Sequence, residues 1–236
     1  MGFMLLEVEG FCKRFGRITA LKDVGFHVEA GEVLGLIGPN GAGKSTLFEC
    51  LAGVLPADSG AVRAGGAVLD ERARRPLLFY VPDGIAPWPQ QPVRWALDYT
   101  IGFLGGRGDL RVEVIEQLAL EALLPQTIGT LSKGQRKRVL LAIGLLTAQP
   151  ALLIDEPFDG LDLRQAREIA AALRTHAARG RTLFLSIHQI GDAARLCDRF
   201  VLLSGGRVCG EGTVAQLAAL AKRPDGDLEE VFLALT

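Results

Sequence analysis

Cysteine, histidine, methionine, tryptophan and tyrosine are scarce in this 236-residue chain, with four, three, two, two and two copies. Cys12, Cys50, Cys197 and Cys209 form no Cys-x-x-Cys pair and no Cys/His pattern with metal-ligand spacing. That argues against a zinc module or disulfide framework and predicts buried, reduced thiols in a reducing compartment. An excess of one charge is also missing. The formal net charge is −1, so the chain carries no basic footprint for nucleic acid. Apolar runs are short: residues 139–148, among the longest, cannot span a bilayer. The first residues lack the basic segment, apolar run and small-residue cleavage site of a secretory signal. Internal repeats and low-complexity segments are absent from the sequence. What is present in quantity is hydrophobic residues, at 49%, enough for a folded chain with a sizeable core.

Residues 4–9 and 24–29 alternate or run apolar, and 32–38 is a short buried-strand pattern ending in glycine. A helix pattern follows over 44–54. Residues 60–69 read as part of a small antiparallel sheet, and 77–82 as another strand. Four prolines at 82, 87, 89 and 92 then exclude a regular helix. Helical patterns return at 93–104, 111–124 and 138–148. From residue 151, strands at 151–155, 182–187 and 200–203 alternate with helices at 163–178 and 191–196, and two helical patterns, 214–221 and 228–235, close the chain. Alternation of this kind predicts a mainly parallel sheet covered by helices. The expected organisation is one domain over 1–236, with an α/β core in 1–83 and 149–236, an antiparallel β part near the N-terminus, and a helical insert over 84–148.

Three stretches carry chemistry. Residues 38–45, GPNGAGKS, fit G-x-x-x-x-G-K-[ST] between a strand and a helix, the pattern of a P-loop. Gly38, Gly41 and Gly43 let the backbone curl so that its N–H groups, those of Asn40 and Ala42 among them, face phosphate oxygens. Lys44 supplies a point charge for the β- and γ-phosphates. The Ser45 hydroxyl is a hard ligand suited to Mg²⁺, and Thr46 can donate to the α-phosphate. Residues 152–157, LLIDEP, form an apolar strand ending in two acids, where open parallel sheets bind ligands. Asp155 suits a magnesium shell, and Glu156 can orient or deprotonate an attacking water. In isolation such a pair reads as solvated strand-end acids. His188 follows another strand, whose end should reach the same edge; its imidazole can donate to a γ-phosphate oxygen or be structural. Residues 131–135, LSKGQ, lie far along the chain from the glycine loop. Ser132 is a good N-cap, and the helix start behind it offers N–H groups to an anion. Two phosphate-binding elements are therefore expected over one nucleotide.

The order GPNGAGKST (38–46), LSKGQRKR (131–138), LLIDEPFDGLD (152–162) and His188 resembles that of ATP-binding-cassette (ABC) nucleotide-binding domains, over nearly the whole chain. The resemblance implies a P-loop NTPase α/β fold and an ATPase with ATP and Mg²⁺ as ligands. It implies that Ser132, Gly134 and Gln135 of the signature, and Asp162 of the D-loop, serve the ATP held by Lys44 of a second, facing subunit. Phe15 stands where the family places an aromatic on adenine; it can equally be an ordinary strand-end residue. An integral-membrane permease is the implied partner, which puts the chain at the cytoplasmic face of a membrane. Two positions depart from the pattern. Lys133 replaces a glycine of the signature; a cation there can approach a phosphate or an acid across the dimer, but the side chain is expected to point to solvent. Asp83 replaces a glutamine after residue 82 and either contacts Mg²⁺ or caps the following turn. Residues 228–236 resemble the ending of ATPases from ABC-2-type exporters. Trp88 reads as a permease anchor or as cover for its own insert, and Trp95 as internal packing. The rivals are a non-transport ABC ATPase acting on nucleic acid or ribosomes, another P-loop kinase or GTPase, and a degenerate regulatory cassette. A single cassette with near-neutral charge disfavours the first. The order of motifs disfavours the second, and the retained Lys44, Asp155, Glu156 and His188 the third.

Overall fold

A computed structural model describes residues 3–188 and 190–236, without the side chain of Asp192. Strands β1 (Met4–Phe15) and β2 (Ile18–Glu29) form a long antiparallel hairpin. Both run well beyond the short strands expected, because register shifts along the pair accommodate polar and glycine positions that break the alternation. Next come β3 (Val33–Ile37) and helix α1 (Lys44–Ala52), which ends at Gly53 with φ 70°, a conformation glycine adopts without strain. Strands β4 (Ser59–Ala64) and β5 (Ala67–Leu69), the short helix α2 (Glu71–Arg74) and β6 (Leu78–Val81) complete the N-terminal part. The order β2-β1-β4-β5 makes a four-stranded antiparallel sheet.

Helices α3 (Val93–Phe103), α4 (Arg111–Gln117) and α5 (Lys133–Leu146) follow β6. The single helix expected over 111–124 is broken. Ala119 sits at φ 47°, and residues 121–123 form a separate 3₁₀ turn. Helix α5 starts five residues earlier than its apolar pattern, because Ser132 and Gln135 close a capping box: the Ser132 hydroxyl accepts from the Gln135 N–H, and the Gln135 side chain accepts from the Ser132 N–H. Trp88 packs edge-on to Trp95 and Tyr99, at 5.6 and 5.2 Å between ring centroids. It therefore covers its own insert. Trp95 is half-buried, stacked on Tyr99.

The chain then forms β7 (Ala151–Asp155), α6 (Leu163–Ala178), β8 (Thr182–Ile187), α7 (Ile190–Leu196), β9 (Arg199–Ser204), β10 (Arg207–Gly212), α8 (Val214–Leu220) and α9 (Leu228–Leu235). β10 was not foreseen; it returns antiparallel to β9 through Gly205 and Gly206, both at positive φ, the usual signal of a tight hairpin. The core sheet has the order β10-β9-β3-β8-β7-β6 and is parallel apart from β10.

Period-two alternation along these strands divides the interior into two apolar layers. Leu183, Leu185 and Ile187 of β8 join the layer under the helices of the insert and of the C-terminal half. Phe184, on the opposite face, joins a layer with α1 and the antiparallel sheet. There it stacks edge-to-face on Phe48 at 4.8 Å. Burial on both faces explains why the strands read as continuous apolar runs.

His176 is an ionisable group inside the helical layer. His176 of α6 is 3% exposed, its Nε2 lies 3.2 Å from the Gln117 side-chain oxygen, and burial pushes its pKa down to about 4 from 6.5. The unfolded chain protonates this ring below about 6.5, whereas the folded chain does so only near 4. Folding stability contributed by the neutral ring is thus complete above that window and lost as pH falls through it, at about 1.4 kcal/mol per pH unit. Urea unfolding at pH 4.5 and 7.5 should show this loss, and His176→Gln should flatten it.

Candidate nucleotide site

Parallel register decides what meets at the edge of the core sheet. Ile37 pairs with Ile187, Asp155 with Ser186, and Val81 with Ile154. The residues that follow these strand ends, Gly38, His188, Glu156 and Asp83, therefore emerge side by side from segments far apart in sequence. A cleft of ≈ 420 Å³ opens there, lined by Phe15, Asn40, Gly41, Gly43, Lys44, Ser45, Thr46, Asp83, Asp155 and Glu156 among others.

The glycine loop is shaped by contacts that tolerate no side chain. Gly43, at φ 107°, is the N-cap of α1, and a Cβ on it would lie 2.6 Å from the Ala20 carbonyl oxygen. A Cβ on Gly38 would lie 2.3 Å from that of Leu203. Gly38 and Ala42 do not line the cleft. They form its frame: the Ala42 N–H donates to the Pro39 carbonyl at 3.1 Å, and its carbonyl accepts from Gly206. No side chain caps the α1 N-terminus, so its first N–H groups face the cleft. Lys44 is 7% exposed, and its Nζ donates to the Gly38 carbonyl at 2.8 Å. A backbone cradle whose frame leaves no room for a Cβ at Gly38 or Gly43, with a buried ammonium and a free helix N-terminus, fits a phosphate chain.

The acids are held on the opposite wall. Asp155, 4% exposed, accepts from the Ser186 hydroxyl and, at 3.4 Å, from the Tyr80 hydroxyl. Burial, and then the neighbouring Asp155 charge, raise the Tyr80 pKa, so Tyr80 stays a neutral donor. Glu156 has φ 49°, a left-handed backbone uncommon for a non-glycine residue. Its N–H donates to the Ser186 hydroxyl at 3.0 Å and lies 3.2 Å from the Ser186 carbonyl. Its carboxylate lies 3.6 Å from Lys44 Nζ and 2.6 Å from His188 Nδ1. Lys44, Glu156 and His188 thus form one contiguous set, with Lys44 and Glu156 lining the cleft and His188 an adjoining pocket that Glu156 shares. For a divalent cation, Ser45, Asp155 and Asp83 offer hard oxygens. No group of three or more His, Cys, Asp or Glu among the described residues is close enough to hold a metal alone. The donors fit a partial shell, which suits Mg²⁺, an ion that keeps waters and takes phosphate oxygens.

Phe15, 47% exposed, stands at the mouth of the cleft, with Lys13 Nζ 5.7 Å from its ring centroid. Ser132, Gly134 and Gln135 lie elsewhere, against the D-loop: a Cβ on Gly134 would come 3.0 Å from the Gly160 carbonyl oxygen. The Asp162 carboxylate accepts from the Gln165 N–H at 2.8 Å, capping α6. Lys133 does not point freely into solvent; it pairs with Asp159 of the same chain. Asp83 does not stand alone either, since one of its oxygens accepts from Lys137 Nζ at 2.5 Å. Sequence reading missed Tyr80, Ser186 and Lys137. For Tyr80 and Ser186 the one signal was a polar group placed inside an apolar strand.

A glycine loop between strand and helix, facing an acid pair at the end of a parallel strand one place removed in the same sheet, defines a P-loop nucleotide-binding protein. Comparison with known proteins gives the particular family. Residues 21–159 match the family described as ABC transporter. A putative ABC transporter ATP-binding protein of Streptomyces avermitilis is 37% identical, over 89% of this chain and 38% of its own length. A Nod factor export ATP-binding protein I of Paraburkholderia xenovorans is 34% identical, over 96% and 76%. A solved ATP binding subunit of an ABC transporter superposes with a TM-score of 0.88 at 29% identity, covering 98% of this chain and 99% of that one. The chain belongs to the ABC transporter family and is an ATP-binding ATPase cassette of it. It spans well under half of the Streptomyces relative's length.

Gly43→Ala should destabilise the fold by about 1–3 kcal/mol, through the left-handed backbone and the clash with Ala20, as read by urea denaturation.

Proposed function

We propose that this chain is the energy-supplying subunit of an ABC exporter, in which two copies close head to tail on two ATP molecules. The observation that carries the reading is the contact set of Glu156 with Lys44 and His188 beside the phosphate cradle. Each ATP lies with its triphosphate over residues 38–46 of one copy and its adenine on Phe15. The other copy covers it with Ser132, Gly134 and Gln135, and with its Asp162 loop. The support is that these four residues stand outside the cleft of their own chain. Lys44 exchanges its carbonyl contacts for phosphate oxygens. Ser45, Asp155 and Asp83 would hold a magnesium ion. When bound, it neutralises phosphate charge.

Glu156 takes a proton from the attacking water, whose oxygen bonds to the γ-phosphorus as the bond to the β–γ bridging oxygen breaks. His188 regulates that base. Its Nδ1 contacts Glu156, leaving Nε2 for a phosphate oxygen. A neutral ring has one N–H, so donating it through Nε2 to phosphate gives up donation to Glu156. Arrival of the γ-phosphate thereby frees the carboxylate for water. Closure and reopening of the pair drive a separate membrane permease. No helix among the described residues is long and apolar enough to cross a membrane itself. In this reading the cassette acts at the cytoplasmic face through that permease, and its near-neutral charge gives no footing on nucleic acid. Export is the direction carried over from the Paraburkholderia relative.

Glu156→Gln should lower phosphate release by about 10²–10⁴-fold while keeping ATP binding, and should trap a dimer visible by size exclusion. The rate of ATP hydrolysis by the wild-type chain should rise faster than linearly with protein concentration. Unchanged turnover in the variant would remove Glu156 as the base, and strict linearity to high dilution would remove the shared site.

A further inference from the structure

Helix α5 carries two lysines four residues apart, hence on one face. Each ends on an acid of a different core loop. Lys133 pairs with Asp159, two residues beyond the Pro157 that follows the acid pair. Lys137 pairs with Asp83, just after β6, and its Nζ also donates to the Asp155 backbone carbonyl at 3.3 Å. Lys137 is 3% exposed although it carries a charge. Lys133 lies flat across its loop: a Cβ on Gly160, at φ 79°, would lie 2.9 Å from its Cδ. The two pairs also feel each other. Asp83 adds to the upward shift that Asp159 gives the Lys133 pKa, and Lys137 adds to the downward shift that Lys133 gives Asp159.

We propose that Lys133 and Lys137 are positioning residues, a two-point electrostatic staple that fixes the start of the signature helix against the Asp155–Glu156 acid pair of its own chain. The proposal rests on the shared-site reading above. The half of the site that a copy presents to its partner is then tied to the half it keeps, and nucleotide on one side is felt by the other. The two points differ in strength. Lys133 and Asp159 are both accessible to water, and salt screens such pairs. Lys137 is buried, so removing Asp83 leaves an uncompensated interior charge, whereas removing both charges leaves none.

The test is a double-mutant cycle of Lys137→Gln and Asp83→Asn. It is read by ATP affinity, by turnover, and by amide exchange over Lys133–Leu146. Lys137→Gln should leave ATP affinity unchanged, lower turnover on the order of 10²-fold by misplacing the signature turn, and speed exchange at the start of α5. Asp83→Asn should speed the same exchange from the more exposed side. The double variant should regain most of the exchange protection and part of the turnover. Lys137→Arg, which keeps the charge, should retain both. Additive effects of the two substitutions on exchange, as expected if Asp83 served only the metal, would overturn the staple. So would unchanged exchange in Lys137→Gln. A wild-type chain that binds no ATP would instead sink the functional reading, and the exchange measurements would still decide the staple.

Discussion

Everything at the site depends on the parallel register of β6, β7, β8 and β3. Four strands running the same way must release their following residues at one edge, whatever the distance between them in sequence. Antiparallel pairing of any one would carry its polar residue to the far side of the sheet. The parallel arrangement in turn requires apolar cover on both faces, which the two layers of the core provide. The short apolar strands that fill the interior are therefore the same elements that aim the chemistry. The glycine loop between strand and helix keeps its shape because its frame is packed against the Leu203 and Ala20 carbonyls.

Around that edge, charge is balanced by contacts rather than by water. Lys44 is satisfied by backbone oxygens and by Glu156. Asp155 has two neutral hydroxyl donors, and Asp83 has a buried ammonium. Such a network satisfies its charges within the chain and leaves the Lys44 ammonium largely desolvated at the cleft. The left-handed backbone at Glu156 belongs to the same arrangement. It turns the carboxylate away from its strand, towards Lys44 and His188.

The glycine loop, the acid pair, the signature Ser132 and the α/β alternation were legible in the sequence, because each is a local pattern with a local cause. Element limits were less so. The starting point of α5 was set by the capping box and not by the apolar periodicity that first suggested a helix at residue 138. β10 was hidden because Arg207–Gly212 has no strong alternation and pairs only through its hairpin. Lys133 and Lys137 were illegible for a different reason. A lysine reads as solvent-facing unless one knows which acid folds over it, and Asp159 and Asp83 come from segments on either side of α5 in sequence. Trp88, among prolines, read equally as an outward anchor or as cover for its own insert. Neighbours on the next helix absorbed it.

The core sheet also partitions the molecule. The phosphate cradle and α1 rest on one apolar layer, and the signature helix on the other. α5 and α1 pack on opposite faces of the same strands, β6 and β7, so their side chains share no layer. The polar contacts that α5 makes with the site run around the rim, at the strand ends, through Lys137 and Asp83. The stiffness of that rim bears directly on how firmly a charge at one strand end holds its place while the helix beside it moves.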